Sequence, residues 1–306
     1  MNFELTILGS SSGAPTADRY QTAQHLSIRN EQILIDCGEA TQMQLMRYGL
    51  GYMHINHIFI SHLHADHYIG LIGLINTMNL NQRKHDLHVY APEGLDEIIQ
   101  VQLKHSAIKL SFQLRFHYTT ATKVNIVLDH EFFTVTSIAL KHRIPVNGFI
   151  FKEKEFPRKI RKDIIREINI PLKAFKILKS GEDYLDEEGR KYLWQEFTES
   201  PPPARSYAFI TDTLAMPEII PFISRVSMLY HEATFMEDLI HYSTDRFHST
   251  NIEAAKIALA AGVKKLLIGH FSTRYKDLDL ILRQTREIFP ESYLATEGKR
   301  FNIPLK

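Results

Sequence analysis

The stretch that most constrains this chain is Ser61–His67, which reads Ser-His-Leu-His-Ala-Asp-His. It holds three histidines and an aspartate within six positions, directly after the apolar run His57–Ile60, which is typical of a buried strand. The apolar run Tyr68–Ile75 that follows it predicts the start of a helix. The polar residues therefore lie on a strand-to-helix turn, where a rigid scaffold presents side chains on a loop.

The histidines of this turn are spaced as metal ligands. His62 and His64 point the same way where the chain is extended, because successive side chains of a strand alternate in direction. Asp66 and His67 follow at the turn and face a second point close by. Chance clustering is the alternative, since the chain has 16 histidines. Burying so many polar groups without partners would be costly, so we predict a site for zinc or a similar borderline metal.

Composition limits the class of protein. The chain has 306 residues, enough for one large domain or two small ones, and a formal net charge of +1, which requires no nucleic acid. Its one cysteine, Cys37, excludes an intramolecular disulfide and fits a reducing compartment. The N-terminal residues lack the features of a signal peptide, and no apolar run approaches membrane-spanning length. We predict a cytoplasmic protein without a membrane partner.

Strand and helix patterns alternate along most of the chain. The predicted strands are Phe3–Leu8, Leu26–Arg29, Ile33–Ile35, His57–Ile60, Leu87–Tyr90, Phe112–Phe116, Asn125–Leu128, Phe132–Leu140, Phe149–Phe151, Tyr207–Ile210, Met228–Tyr230 and Lys265–Ile268. The predicted helices are Ala40–Tyr48, Tyr68–Leu80, one from about Leu95, one from Ser249 or Thr250 to Gly262 with a Thr250/Glu253 capping box, and Leu278–Ile288. The pattern predicts a layered α/β or α+β sandwich.

A change in composition marks an insertion at about residues 150–200 of a single domain that covers 1–306. Basic residues outnumber acidic ones in Lys152–Lys179, Gly181–Gly189 is acidic and turn-like, and Ser200–Pro203 is a stiff connector. A basic surface segment neutralises nucleic-acid phosphates without reading sequence. The alternative is a solvated charged helix.

Three later strand ends carry further ligand types. His142, Asp212 and His270 each follow an apolar strand, although singly they also fit surface, turn and loop roles. If these strands share a sheet, their ends share an edge. The combined set is large enough for two metal ions, with Asp212 suited to bridge them. Two close metals lower the pKa of a bound water and stabilise both the attacking and the leaving oxygen of a phosphoester.

The motifs resemble one family along essentially the whole chain. In order they are Asp36–Gln42, Ser61–His67, His142–Pro145, Thr211–Thr213, His231–Phe235, His248–Thr250 and Gly269–Tyr275. The heptapeptide has the His-x-His-x-Asp-His form of the metallo-β-lactamase superfamily. Together the motifs resemble the short form of the ribonuclease Z family, the tRNA 3′-processing endoribonucleases. His-Glu-Ala-Thr with the later His-Ser-Thr is the more specific part.

This resemblance implies a four-layer αββα metallo-β-lactamase sandwich with two Zn²⁺ ions per subunit, or Mn²⁺ or another divalent ion instead. The implied ligands are His62, His64 and His142 for one ion, Asp66, His67 and His270 for the second, and Asp212 as the bridge. It also implies a homodimer in which the arm of one subunit grips the tRNA bound by the other. The implied reaction removes the 3′ trailer from precursor tRNA, leaving a 3′-hydroxyl on the tRNA and a 5′-phosphate on the trailer.

The resemblance also assigns residues to the reaction. We expect Asp66 to bind metal and to accept or steer the proton of the attacking water, and His248 to act as general acid toward the leaving 3′-oxygen. Glu232 is expected to orient His248. The alternatives are a capping-region histidine and a buried structural glutamate. Expected substrate contacts are Ser272, Thr273 and Arg274 for phosphate oxygens, and Arg19, otherwise a plain surface arginine, for the 3′ end of the RNA.

The chain departs from the usual family pattern in three places. Ala65 and Ala40 stand where glycine is common, which we expect to matter little unless φ is positive there. The arm stretch Ile170–Lys176 lacks the Gly-Pro pair that many members carry, which leaves the details of tRNA gripping open.

Three other functions compete with this one. A hydrolase of the same fold would act on a small phosphodiester, thioester or lactam and would not need a long basic arm. A non-catalytic RNA-binding homologue would lack bound metal, whereas here a histidine or an aspartate stands at every ligand position of the family pattern. A structural zinc protein would favour cysteines and a closed tetrahedron.

Overall fold

The computed structural model describes residues 2–163 and 170–305. It divides into two compact units. The main unit comprises Met1–Lys152 and Arg205–Ile303, and the arm unit comprises Glu153–Ala204 and Pro304–Lys306. Within the described ranges, no helix has the length and apolar character needed to span a bilayer.

Two large sheets form the main unit. The first sheet contains β1 (Phe3–Gly9), β2 (Ala23–Ile28), β3 (Glu31–Ile35), β4 (Ile55–Phe59), β5 (Leu87–Ala91), β6 (Leu114–Tyr118) and β18 (Arg300–Asn302), in the order β18-β1-β2-β3-β4-β5-β6. The second contains β7 (Asn125–Asp129), β8 (Phe133–Leu140), β9 (Val146–Glu153), β14 (Ser206–Ile210), β15 (Met228–Glu232), β16 (Leu266–Gly269) and β17 (Ser292–Leu294), in the order β17-β16-β15-β14-β9-β8-β7.

The helices of the main unit connect these strands. They are α1 (Thr41–Arg47), α2 (Ala65–Tyr68), α3 (Leu71–Leu80), α4 (Leu95–His105), α7 (Ile220–Ile223), α8 (Ile240–Asp245), α9 (Asn251–Ala261) and α10 (Asp279–Ile288). The elements of the arm unit are β10 (Lys159–Ile160), α5 (Leu172–Ser180), β11 (Tyr184–Leu185), β12 (Lys191–Tyr192), α6 (Trp194–Phe197) and β13 (Thr198–Glu199). Single 3₁₀ turns lie at Tyr52–His54, Pro217–Ile219 and Glu237–Leu239.

Three hydrophobic cores define four layers. Between the sheets, aromatic side chains such as Phe59 from the first sheet and Phe149 from the second pack ring against ring. The outer face of the first sheet is buried under α1, α3 and α4, and that of the second under α7, α9 and α10. The order is therefore helix, sheet, sheet, helix, and the predicted αββα sandwich is confirmed.

The parallel part of each sheet determines where side chains can converge. Strands β3 to β6 run parallel in the first sheet, and β14 to β17 run parallel in the second. The carboxyl ends of the parallel strands therefore lie along one edge of each sheet. In open α/β sheets the crevice beyond the carboxyl ends is the usual place for a ligand.

The helix predicted over Tyr68–Leu80 is confirmed over Leu71–Leu80 as α3, and a separate short helix that was not predicted, α2 (Ala65–Tyr68), ends just before Gly70. A Cβ at Gly70 would lie 2.1 Å from the carbonyl oxygen of Gly38, and the Gly70 N–H donates to the Cys37 carbonyl at 2.9 Å. The chain thus changes direction where its backbone contacts the loop after β3. The predicted capping box of α9 is confirmed: the Thr250 hydroxyl accepts from the Glu253 N–H.

The two alanines that replace family glycines differ in conformation. Ala65 is exposed in the first turn of α2 and is not among the residues with positive φ. Ala40, directly before α1, has φ 63° and ψ 8°. This is the left-handed region, where alanine is strained and glycine is not. The replacement of glycine by Ala40 is therefore expected to matter.

The arm unit has a small core of its own, formed by Ile160, Ile170, Ala174, Leu178, Tyr192 and Phe197. Part of the basic segment, residues 164–169, lies outside the described residues. In the rest of this segment, the Arg161 guanidinium is paired with Asp163 at 2.7 Å. Lys191, later in the arm, is paired with Asp183 at 2.9 Å.

Candidate metal centre and active site

Seven side chains converge at the carboxyl edge of the sheets. Ligand atoms of His62, His64, His142 and Asp212 lie within 4.8 Å of one another, and so do those of Asp66, His67 and His270. These are the two groups that the resemblance implied.

Asp212 lies beside both groups. Its Oδ1 lies 3.1 Å from His270 Nε2 and 3.4 Å from His67 Nε2. Its Oδ2 lies 3.7 Å from His62 Nε2 and 3.9 Å from His142 Nε2. One carboxylate thus faces imidazoles of both groups, which is the arrangement a bridging ligand needs.

The backbone is strained where these residues leave their strands. Asp212 has φ 38° two residues after the end of β14, and His270 has φ 59° directly after β16. Phe247, which precedes His248, has φ 60°. Non-glycine residues rarely adopt the left-handed region, and such strain persists where the surrounding structure over-determines the conformation, often at active sites.

Asp36 fixes the protonation of two histidines. The His67 Nδ1 lies 2.7 Å from Asp36 Oδ2, and a carboxylate only accepts, so this nitrogen carries the proton. The Ser61 hydroxyl donates to the same Oδ2 at 3.0 Å and therefore accepts from His62 Nδ1 at 3.0 Å. In the neutral imidazoles of His62 and His67, the lone pair is then on Nε2, which faces Asp212.

The same tautomer follows for the other two histidines. His142 Nδ1 donates to the carbonyl oxygen of Phe247 at 2.9 Å. The Thr234 hydroxyl lies 2.5 Å from Glu232 Oε2, to which it donates, so it accepts from His270 Nδ1 at 2.8 Å. Four imidazoles therefore present Nε2 lone pairs toward one carboxylate, as metal-ligating histidines do.

The charges of the site also fit a cation. His67 Nε2 and His270 Nε2 are buried without a hydrogen-bond partner among the described residues. Burial opposes protonation of His67, but the carboxylates of Asp212, Asp36 and Asp66 outweigh it and raise its pKa to about 10. The three carboxylates therefore create a negative potential that favours a positive charge at this point, either a proton on His67 or a divalent ion in its place. The residues present fit two metal ions.

Asp212 shows the reverse balance. Burial opposes its ionisation, but the imidazoles of His270, His67 and His62 outweigh the burial and hold the pKa of Asp212 well below its ordinary value. Its carboxylate is therefore charged and ready to bind a cation.

His248 and Glu232 form a pair beside this centre. Glu232 Oε1 accepts from His248 Nδ1 at 2.9 Å and from the Thr213 N–H at 2.7 Å. Burial opposes protonation of His248, but the Glu232 carboxylate outweighs it and raises the pKa of His248 to about 9. A ligand atom of His248 also lies within 4.8 Å of those of Asp212 and His270. Through this contact Glu232 could orient His248, the role that the resemblance implied.

The predicted substrate-binding residues lie in or against the loop that follows His270; they are Arg19, Ser272, Thr273 and Arg274. The metal site opens into a cavity of about 220 Å³, and none of these four residues lines that cavity. Arg19 Nη2 donates to the carbonyl oxygens of Tyr275 at 2.7 Å and Ser272 at 3.4 Å. Arg274 Nε donates to the Ser272 hydroxyl at 3.2 Å. Arg19 and Thr273 instead line a neighbouring cavity of about 520 Å³.

Several residues of the site had no predicted role, among them Asp36, Thr234, Arg143 and Arg246. Asp36 and Thr234 lie inside the quoted motifs, each close after a buried strand, and that position was a usable signal. Arg143 and Arg246 line the 220 Å³ cavity, and each is close in sequence to a predicted site histidine.

Comparisons with known proteins agree with this geometry. A family model described as anti-Pycsar protein Apyc1 matches residues 3–151. The structure of the short form of human tRNase Z has a TM-score of 0.72 and 26% identity, over 98% of this chain and 99% of that one. Ribonuclease Z of Bacteroides fragilis is 41% identical over 97% of both chains. Ribonuclease Z of Cytophaga hutchinsonii is 47% identical over 99% of this chain and 97% of its own. The chain belongs to the ribonuclease Z family.

Proposed function

We propose that this protein is a metal-dependent endoribonuclease that cuts the 3′ trailer from precursor tRNA. The products are a 3′-hydroxyl on the tRNA and a 5′-phosphate on the trailer. One observation carries the proposal: four imidazoles present Nε2 toward Asp212, next to the His248–Glu232 pair.

The residues that would hold two Zn²⁺ ions are His62, His64 and His142 for one, Asp66, His67 and His270 for the other, and Asp212 between them. When bound, two such ions polarise the phosphoryl group and lower the pKa of a water. Mn²⁺ or another divalent ion is the alternative occupant.

The chain's own residues move the protons. Asp66 Oδ2 accepts from the Gly13 N–H at 2.9 Å, which fixes the carboxylate at the cavity wall, where it takes the proton of the attacking water. His248 holds a proton on Nε2 because the Glu232 carboxylate stabilises the imidazolium through Nδ1. That proton goes to the leaving 3′-oxygen of the tRNA.

The arm unit supplies a separate RNA contact. Its cavity of about 580 Å³ is lined by Trp194, Arg158, Lys176 and Lys179, with the Arg158 guanidinium 4.3 Å from the centre of the Trp194 ring. Stacked aromatic and basic groups suit an RNA backbone and its bases. In a homodimer, each arm would grip the tRNA bound by the other subunit. Light scattering of the purified protein tests the dimer.

We place the reaction in the cytoplasm. Cys37, the one cysteine of the chain, is buried and is not in a disulfide, and a chain without disulfides is typical of a reducing compartment.

His248→Ala is the decisive substitution. Cleavage of a precursor tRNA should fall by about 10²–10⁴-fold while metal content, measured by mass spectrometry, is retained. His130→Ala, which removes a histidine from the opposite end of the main unit, should change neither. Cleavage near the wild-type rate in His248→Ala would contradict the general-acid role. Metal loss would make His248 a ligand instead.

Mapping the cleaved ends separates the proposed function from its rivals. Wild type should cut the precursor directly 3′ of the acceptor end. Hydrolysis of bis(p-nitrophenyl) phosphate without precursor cleavage would indicate a small-molecule phosphodiesterase. RNA binding without either reaction would indicate a non-catalytic homologue.

A further inference from the structure

Two arginines line the cavity at the candidate metal centre. Arg143 and Arg246, which we call the arginine rim, line the 220 Å³ cavity together with Asp66, Asp212 and His248. Neither arginine belongs to the set of metal ligands. Their position requires an explanation, because a divalent metal centre repels nearby cations.

No carboxylate of the described residues pairs with the rim. Within the part of the chain that the structure describes, Arg143 makes one hydrogen bond, a long one from Nη2 to the Asp245 carbonyl oxygen at 3.4 Å. Arg246 lies against the Tyr242 ring, with Cζ 3.3 Å from its centre. Both guanidinium groups thus keep most of their five donors for another partner.

The fold holds the rim next to the proposed general acid. His142 Nδ1 donates to the carbonyl oxygen of Phe247 at 2.9 Å, which ties the loop after β8 to the segment after α8. Arg143 follows His142, and Arg246 is two residues before His248. The positions of the two arginines are therefore coupled to those of His142, a predicted metal ligand, and His248, the proposed general acid.

The chemistry of the rim selects its ligand. Guanidinium groups bind phosphate oxygens through paired N–H donors, and a phosphodiester chain supplies anions at regular intervals. Two uncompensated cations beside the cavity match the phosphates that flank a scissile bond. Stacking of Arg246 on Tyr242 fixes the direction of its donors, which reduces the entropy lost on binding.

We propose that Arg143 and Arg246 form a phosphate subsite for the tRNA strand on the 5′ side of the scissile phosphate. The side follows from His248, because the leaving oxygen belongs to the tRNA and the rim adjoins the residue that protonates it. This assignment rests on the proposed function. The trailer then lies on the other side of the metal centre, away from the rim.

Substitution of each arginine by glutamine tests the subsite. Arg143→Gln and Arg246→Gln should each raise KM for precursor tRNA by about tenfold and reduce the salt dependence of RNA binding by about one phosphate contact. Hydrolysis of bis(p-nitrophenyl) phosphate should fall much less than cleavage of precursor tRNA, because the small diester has no flanking phosphates. Arg246→Lys should recover much of the salt dependence. Arg283→Gln, an exposed arginine of α10 that does not line the cavity, is the control.

A precursor with a one-nucleotide trailer tests the side. If the rim holds the tRNA strand, the defect of both variants persists on this substrate. If the defect disappears, the contact is to the trailer and the assigned side is wrong. Equal losses on precursor and small diester would mean that the substitutions disturb the metal centre, which also overturns the subsite.

Binding of a single-stranded RNA by fluorescence anisotropy separates failure of the subsite from failure of the proposed function. Unchanged affinity in both variants would overturn the subsite. Weakened affinity in the variants, with a wild type that binds RNA but does not cut precursor tRNA, would support the phosphate subsite and overturn the proposed reaction.

Discussion

At the scale of single residues, the partners of the histidines matter as much as the histidines. Asp36 contacts His67 Nδ1 at 2.7 Å and the Ser61 hydroxyl at 3.0 Å. It is fully buried. Such outer partners set which ring nitrogen carries the proton and hold the ring in position.

Asp36→Asn tests this role. The amide cannot supply the same charge, so we expect metal affinity to fall by about 10–100-fold, measured by competition with a chelator. Asp86→Asn, in a carboxylate that pairs with Arg115 outside the metal site, is the matched control and should keep wild-type affinity. Equal affinity in both variants would show that Asp36 has no influence on the ligands.

The two alanines at family glycine positions form a second matched pair. Ala40 has φ 63°, whereas Ala65 lies in a helix. Ala40→Gly should therefore stabilise the protein by about 0.5–1 kcal/mol, because glycine removes the strain of the left-handed backbone. Ala65→Gly should destabilise it by about 0.5–1 kcal/mol. Urea unfolding of both variants measures the two signs, and a loss of stability in Ala40→Gly would refute the strain argument.

At the scale of elements, the sequence predicted most strands and the histidines and aspartates that follow them. An apolar run followed at once by His62, Asp212 or His270 needs only strand periodicity to be recognised. The break between α2 and α3 was not predictable, since it depends on the contact of Gly70 with the Gly38 carbonyl, 32 residues earlier. Two-residue strands such as β11 carry no periodicity at all.

Strands β4 to β6 also bring histidines together away from the metal centre. His88 Nδ1 lies 2.9 Å from His117 Nε2, and the His57 ring is 5.4 Å from the His88 ring. Burial and the positive potential of His88, His130 and His117 lower the pKa of His57 to about 4. Burial likewise lowers the pKa values of His88 and His117.

These shifts predict a loss of stability in acid. Because the pKa of folded His57 lies below the unfolded value near 6.5, the unfolded chain binds more protons between pH 6.5 and about 4. The stabilisation is complete above pH 6.5 and is lost as the pH falls toward 4. Relative to His57→Gln, metal-free wild type should lose about 2 kcal/mol more of unfolding free energy between pH 7.5 and 4.5. Denaturant unfolding at both pH values measures this, and parallel curves would contradict it.

At the scale of the whole molecule, the arm is an insertion between two paired strands. Lys152 of β9 and Ser206 of β14 are antiparallel partners, so the chain leaves and re-enters the second sheet at adjacent positions. Composition predicted an insertion at about residues 150–200. It did not show that the arm has a core, because residues such as Ile160 and Phe197 are far apart in sequence and meet only in the fold.

This adjacency permits a clean deletion. Replacing Glu153–Ala204 by a short glycine turn joins two strand ends that are already partners, so the main unit should keep its sheet and its metal ligands. Affinity for precursor tRNA should fall by about 100-fold or more, because the stacked pair of Trp194 and Arg158 is lost together with Lys176 and Lys179. Hydrolysis of bis(p-nitrophenyl) phosphate needs only the metal centre and should stay near the wild-type rate. Equal loss of both reactions would mean that the main unit requires the arm to fold, whereas unchanged affinity for the precursor would show that the tRNA is held by the main unit alone.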